Sequence, residues 1–178
     1  GHYTGLMYLG RESMNASMVP VYALPRMKQF LSSNGPWDQL VQLQNITLET
    51  AFENKEISLS PHLTVTPFRV PHRDEYSETV GFVISGPAKQ VMFIPDIDKW
   101  ERWSVPLAEK LADVDLAFLD ATFFDGAEIG FRDLSEIPHP FVVETMELLQ
   151  SLPAHLKSKV YFIHLNHTNP LLQFGSAA

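Results

Sequence analysis

Residues 91–98 read VMFIPDID: four apolar residues, Val91-Met92-Phe93-Ile94, then a proline, then Asp96 and Asp98 on either side of Ile97. A short unbroken apolar run closed by proline reads as a buried strand, and the acids that follow it begin a loop. The same pattern recurs. Leu116-Ala117-Phe118-Leu119 runs into Asp120-Ala121-Thr122, and Val160-Tyr161-Phe162-Ile163 runs into His164-Leu165-Asn166-His167. Upstream, Val65 to Val70 leads to Pro71-His72-Arg73-Asp74. Two helical patterns lie between the later runs: one from Trp100 to about Leu111, and one starting at Pro138-His139-Pro140 with Val142, Met146 and Leu149 on one face. Strand, helix, strand, helix, strand predicts an α/β fold with helices covering a sheet.

In such a sheet ligands bind beyond the carboxyl ends of the strands. Four strands that deliver His72, Asp96, Asp120 and His164 to one edge would build a convergent polar site. Imidazole and carboxylate together suit Zn, Mn or Fe. Taken singly, each of these residues is ordinary loop or cap chemistry. Their recurrence at successive strand ends is what argues for a site. There is no Cys in the chain, so disulfides, thiolate ligands and a Cys nucleophile are excluded.

The remainder of the sequence is consistent with one folded unit. Its 178 residues suit a single domain spanning 1–178. With 45% hydrophobic and 19% charged residues it is neither disordered nor fibrous. The net charge of −8 argues against a nucleic-acid partner, which requires a basic face. No apolar run reaches the ~20 residues of a spanning helix, and no signal-like stretch is present, so no membrane partner and a cytoplasmic location are expected. Toward the N-terminus the pattern predicts a short helix from Thr4 to about Asn15 and a strand over Val19–Leu24. A helix then opens at Pro25 and stops at Asn34-Gly35-Pro36, and β-forming residues run from Ile46 to Val70. There is no Gly-rich phosphate loop and no nucleophile elbow.

Several stretches carry a specific likeness. VTPFRVPHRDEYSETVGFVISGPAKQVMFIPDID (65–98), LDATFF (119–124), IPHPFVVETM (137–146) and VYFIHLNHTNP (160–170) follow one another in order, and GHYTGL opens the chain. Together they resemble the metallo-β-lactamase superfamily, in the branch that contains the pyrroloquinoline-quinone biosynthesis B protein. The resemblance implies an αββα sandwich. His72 and Asp96 match a metal-binding His and the bridging Asp, His164 matches the last metal-binding His, and His2 matches the final His of the HxHxDH signature. The two earlier His of that signature are absent, and Gly1 stands where it has Asp. A complete dinuclear site is therefore not expected from this chain. The fold is expected to be incomplete, with part of the N-terminal β-layer missing.

What the resemblance implies functionally is a metal-dependent hydrolase acting on a small-molecule ester, phosphodiester or lactone. The metal set is His2, His72, Asp96 and His164, holding a divalent cation, Zn foremost, with Mn or Fe as alternatives. Asp96 and His139 are the expected catalytic residues, with His139 near the substrate as an acid. Asp120, Thr122 and His167 are expected to orient the ligating His residues. Two other classes stay open: a non-haem iron oxygenase-like protein of cofactor biosynthesis, and a truncated, inactive domain whose bare sheet face drives self-association into a homo-oligomer.

Overall fold

The computed structural model describes residues 2–130 and 133–176. They fall into two compact units, the first made of the chain through Lys55 with Asp74–Glu78, the second of Glu56–Arg73 and the chain from Thr79 onward.

In the first unit a 3-10 helix, His2–Leu9, precedes β1 (Val19–Ala23), α1 (Pro25–Ser33), α2 (Trp37–Gln42) and β2 (Ile46–Thr50). The helix expected over Thr4–Asn15 is thus a shorter and tighter element. Gly5 and Gly10 explain this, because each costs about 1 kcal/mol against alanine in an α-helix. β1 and β2 pair in parallel, Val19 opposite Ile46, with α1 and α2 in the crossover that parallel pairing requires. Proline opens α1, where its missing N–H costs nothing. The carboxylate of Glu78 accepts the free N–H groups of Arg26 and Met27, both at 3.1 Å. Helix α2 was not legible in the sequence. It has only six residues and directly follows Pro36.

The second unit is built on a six-stranded sheet in sequential order: β3 (Ile57–Ser60), β4 (Leu63–Arg69), β5 (Val80–Ser85), β6 (Gln90–Ile94), β7 (Leu116–Asp120) and β8 (Val160–Ile163). The first four are antiparallel neighbours, while β6, β7 and β8 are parallel. Two reversals between β4 and β6 leave β4, β6, β7 and β8 all running the same way. Their carboxyl ends therefore share one edge, as the sequence pattern predicts. α3 (Leu107–Ala112), α4 (Val142–Gln150) and α5 (Ala154–Lys157) complete the unit.

The core packs one face of this sheet, through Phe68, Met92, Ile94, Ala117 and Leu119, against Trp103, Leu107, Leu111 and Leu149. Gly81 on β5 has no room for a side chain: a Cβ there would lie 2.7 Å from the Phe68 ring and 3.0 Å from Ile94. Three local readings are corrected. The helix expected from Trp100 to Leu111 is a 3-10 turn, Trp100–Arg102, followed by a separate α3, because Pro106 cannot continue a helix and instead precedes one. On α4 the buried residues are Val142, Thr145 and Leu149, and Met146 is exposed. Thr145 earns that place by hydrogen bonding, since its hydroxyl accepts the Trp100 indole N–H at 2.8 Å. Finally, β8 is only half-buried, since as an edge strand it has β7 on one side alone.

Candidate metal centre

Each strand of the shared edge contributes in turn. β4 leads through Val70-Pro71 to His72, and β6 leads through Pro95 to Asp96. β7 ends on Asp120 itself, and β8 is followed at once by His164. The backbone of His164 is left-handed, φ +63°, a conformation uncommon for any residue but glycine. His139 arrives from the extended segment before α4. That segment is tied down by Glu144, which accepts the Phe141 N–H at 2.8 Å and is held at 2.7 Å by Lys99.

These side chains converge. Asp96, Asp120, His139 and His164 each offer a donor atom, all within 4.8 Å of one another. His72 adjoins them, its Nε2 3.0 Å from Asp96 Oδ1. His139 Nδ1 lies 3.5 Å from the same oxygen. His72 Nδ1 is buried without a hydrogen-bond partner among the described residues. Two to three imidazoles around two carboxylates form a donor set that fits a borderline divalent cation.

Asp120 is the fully buried member, and its four acceptor positions are occupied. Oδ1 accepts the Thr122 N–H at 2.9 Å and the Thr122 hydroxyl at 2.6 Å. Oδ2 accepts the Ile97 N–H at 3.1 Å and His139 Nδ1 at 2.8 Å. A carboxylate has about four lone-pair sites, so Asp120 works as a scaffold that grips its neighbours. Burial by itself would raise its pKa. The hydrogen bond from His139, the nearby His164 ring, the charge of His139 and the Thr122 hydroxyl outweigh burial and hold it far below the usual carboxylate range. At Asp96 burial again raises the pKa, and the hydrogen bond and charge of His72, with the charge of His139, bring it below the ordinary value despite Asp120 nearby. His164 moves the other way: its polar contact with Asp120 outweighs partial burial, and the charges of Asp120 and Asp96 add to the rise.

Of the residues expected from sequence, His72, Asp96, Asp120, Thr122, His139 and His164 come together in the second unit. His2 opens the 3-10 helix of the first unit. Gly1 lies outside the described residues. His167 is exposed, and the His164 ring is met by the Thr122 hydroxyl. One supporting residue lies outside the set expected from sequence. Asn169 is fully buried, donates to the carbonyls of Ala121 at 2.8 Å and Thr122 at 3.3 Å, and accepts the Leu171 N–H at 3.0 Å. Its signal was the asparagine-proline pair, a turn initiator that also caps.

A beta-lactamase superfamily domain model matches residues 2–165. The chain belongs to the beta-lactamase superfamily. The coenzyme PQQ synthesis protein B of Pseudomonas savastanoi pv. phaseolicola is 24% identical to this superfamily member, over 98% of the chain and 62% of that protein. The protein of the same name from Rhizobium meliloti is 26% identical over 98% of the chain and 61% of its own length. The crystal structure of Zn(2+)-bound PqqB from Methylobacterium extorquens aligns with a TM-score of 0.73 at 21% identity, over 97% of this chain and 61% of that one. The metallo-β-lactamase fold and the branch read from the motifs are both borne out. This chain spans a little under two thirds of the length of those relatives. No helix among the described residues is long and apolar enough to cross a membrane.

Proposed function

We propose that this chain is the metal-binding part of a metal-dependent hydrolase that cleaves a small-molecule ester, phosphodiester or lactone. The observation that carries the proposal is the cluster of Asp96, His139 and His164 at one sheet edge, with His72 against Asp96. His72, Asp96 and His164 would hold the divalent cation, Zn being the choice that the zinc in the crystal structure of the M. extorquens protein favours. His2 remains a ligand expected from the family signature. A bound divalent cation supplies Lewis acidity, lowering the pKa of water toward ~7 and neutralising developing oxyanion charge.

The remaining work falls to the side chains. His139 is held by Asp120 through Nδ1, which leaves the Nε2 lone pair to take a proton from the attacking water and then pass it to a leaving group. Asp96 holds its negative charge beside two imidazoles and orients them. Nothing in this scheme requires a Ser or Cys nucleophile.

The test is zinc, manganese and iron analysis of the chain followed by a panel of chromogenic phosphodiesters, carboxylic esters and lactones. Turnover that vanishes in Asp96→Ala and falls by about 100-fold or more in His139→Ala supports the reading. Absence of metal binding overturns it. A second reading is oxygen chemistry at a non-haem iron, since a structural neighbour with a TM-score of 0.53 at 15% identity, CmlA from Streptomyces venezuelae, is a diiron beta-hydroxylase, and His and carboxylate ligands also suit Fe(II). Oxygen uptake by the iron-loaded chain with aromatic amino-acid or peptide substrates, without hydrolysis, would select it.

A further inference from the structure

The Thr122 hydroxyl has one proton and three polar neighbours. Asp120 Oδ1 is 2.6 Å away, His164 Nδ1 2.9 Å and His139 Nδ1 3.2 Å. An ionised carboxylate only accepts, so the hydroxyl proton must lie on the Asp120 contact. The oxygen then has only lone pairs to turn toward the rings. Two lone pairs facing each other at 2.9 Å would repel, so His164 Nδ1 must carry a proton and donate it to Thr122. His139 is fixed by the same logic through a different oxygen, because Asp120 Oδ2 at 2.8 Å can only accept. Both neutral rings are thereby committed to one tautomer, with the proton on Nδ1 and the lone pair on Nε2.

We infer that Thr122 is a positioning residue that sets the His164 tautomer, turning the fixed charge of Asp120 into a defined donor atom on a second imidazole. Asp120 reaches His139 directly and reaches His164 through Thr122. The direct gap from Asp120 Oδ1 to His164 Nδ1, 3.5 Å, is too long for a hydrogen bond. An imidazole left to itself in water prefers the proton on Nε2, which would block that atom as a ligand or base. This assignment rests on the metal-centre reading only for its consequence, since the hydrogen-bond geometry stands without a metal.

The test is nitrogen NMR of the histidine rings in the metal-free chain, at alkaline pH where both rings are neutral. The wild-type chain is expected to show protonated Nδ1 and unprotonated Nε2 at both His139 and His164. Thr122→Val should return His164 to the Nε2–H form while leaving His139 unchanged, and Thr122→Ser should restore the wild-type pattern at both. A merely structural threonine would give no such split between the two rings. A proton on Nε2 of His164 in the wild-type chain overturns the inference, and that measurement needs no variant to fold. So does Thr122→Val with His164 unchanged. Correct tautomers in a chain that binds no metal would overturn the hydrolase reading and leave this one standing.

Discussion

The imidazole of His139 donates from Nδ1 to Asp120 Oδ2 across 2.8 Å, and the acid that receives this bond is wholly buried. That single contact joins the loop before α4 to the end of β7. It also decides what Asp120 can do, since every acceptor position it has is turned toward the protein.

Replacing Asp120 with Asn is therefore not a mild change. One of the two oxygens becomes an NH2 group that faces donors, either the two from Thr122 or those of Ile97 and His139. Leaving buried donors unmatched costs about 1–3 kcal/mol. Asp120→Asn should lower the urea midpoint accordingly and weaken zinc binding by about 10- to 100-fold, as loss of a residue supporting metal ligands does. An unchanged midpoint in urea unfolding followed by circular dichroism would contradict the network.

Stability of the metal-free chain should depend on pH at two limbs. The pKa of Asp120 is depressed in the folded state, so the stability it contributes is present above its unfolded value of about 3.9 and is lost as pH falls through the folded value. His164 is raised, so its contribution is full below its unfolded value of about 6.5 and is lost as pH rises through the folded one. Urea midpoints taken from acid to alkaline pH should trace both limbs. His164→Gln should flatten the upper limb and only reduce the lower one, since His139 and Thr122 still hold Asp120.

Metal uptake should run against the same proton. A ligating imidazole must be free of its extra proton, so the raised pKa of His164 makes zinc affinity climb as pH rises through its titration. Calorimetry in buffers of different ionisation heat should register proton release on binding, and the released fraction should shrink as pH increases. Release that is independent of pH would argue against His164 as a ligand.

Away from the site, Gly81→Ala tests the packing of β4 on β5. Its methyl group would press on the Phe68 ring from 2.7 Å, and Phe68 is itself in the core. Overpacking of this kind costs about 1–3 kcal/mol. A thermal melt with no loss of stability would mean that Phe68 can rotate away freely.

The legible part of this molecule was its second unit, for a physical reason. Val91–Ile94 and Leu116–Leu119 lie between two neighbouring strands, so apolar runs were forced on them, and each ends in a residue that the edge needs. His72, Asp96 and His164 could be read because strand ends are points at which a side chain's direction follows from the backbone. The full part of Asp120 is not legible in the sequence, because it depends on how many donors surround the carboxylate, and two of those come from Ile97 and His139, far apart in sequence. The first stretch of the chain reads as a short helix reaching about Asn15 but forms a 3-10 helix over His2–Leu9, since apolar spacing at Leu6 and Leu9 says nothing about how two glycines weaken the backbone between them. Apolar periodicity points to Met146 and not to Thr145, because a buried hydroxyl answers to the Trp100 N–H and not to hydrophobic spacing.

His164 stands on a backbone angle of +63°, where glycine would sit at ease. A left-handed histidine is held there against a local preference of order 1 kcal/mol. Folding and chemistry thus pull in opposite directions at this one position. Any screen of this chain for heat resistance alone should drift toward Gly or Asn at 164, and the tougher variants it yields should be those that have given up the imidazole.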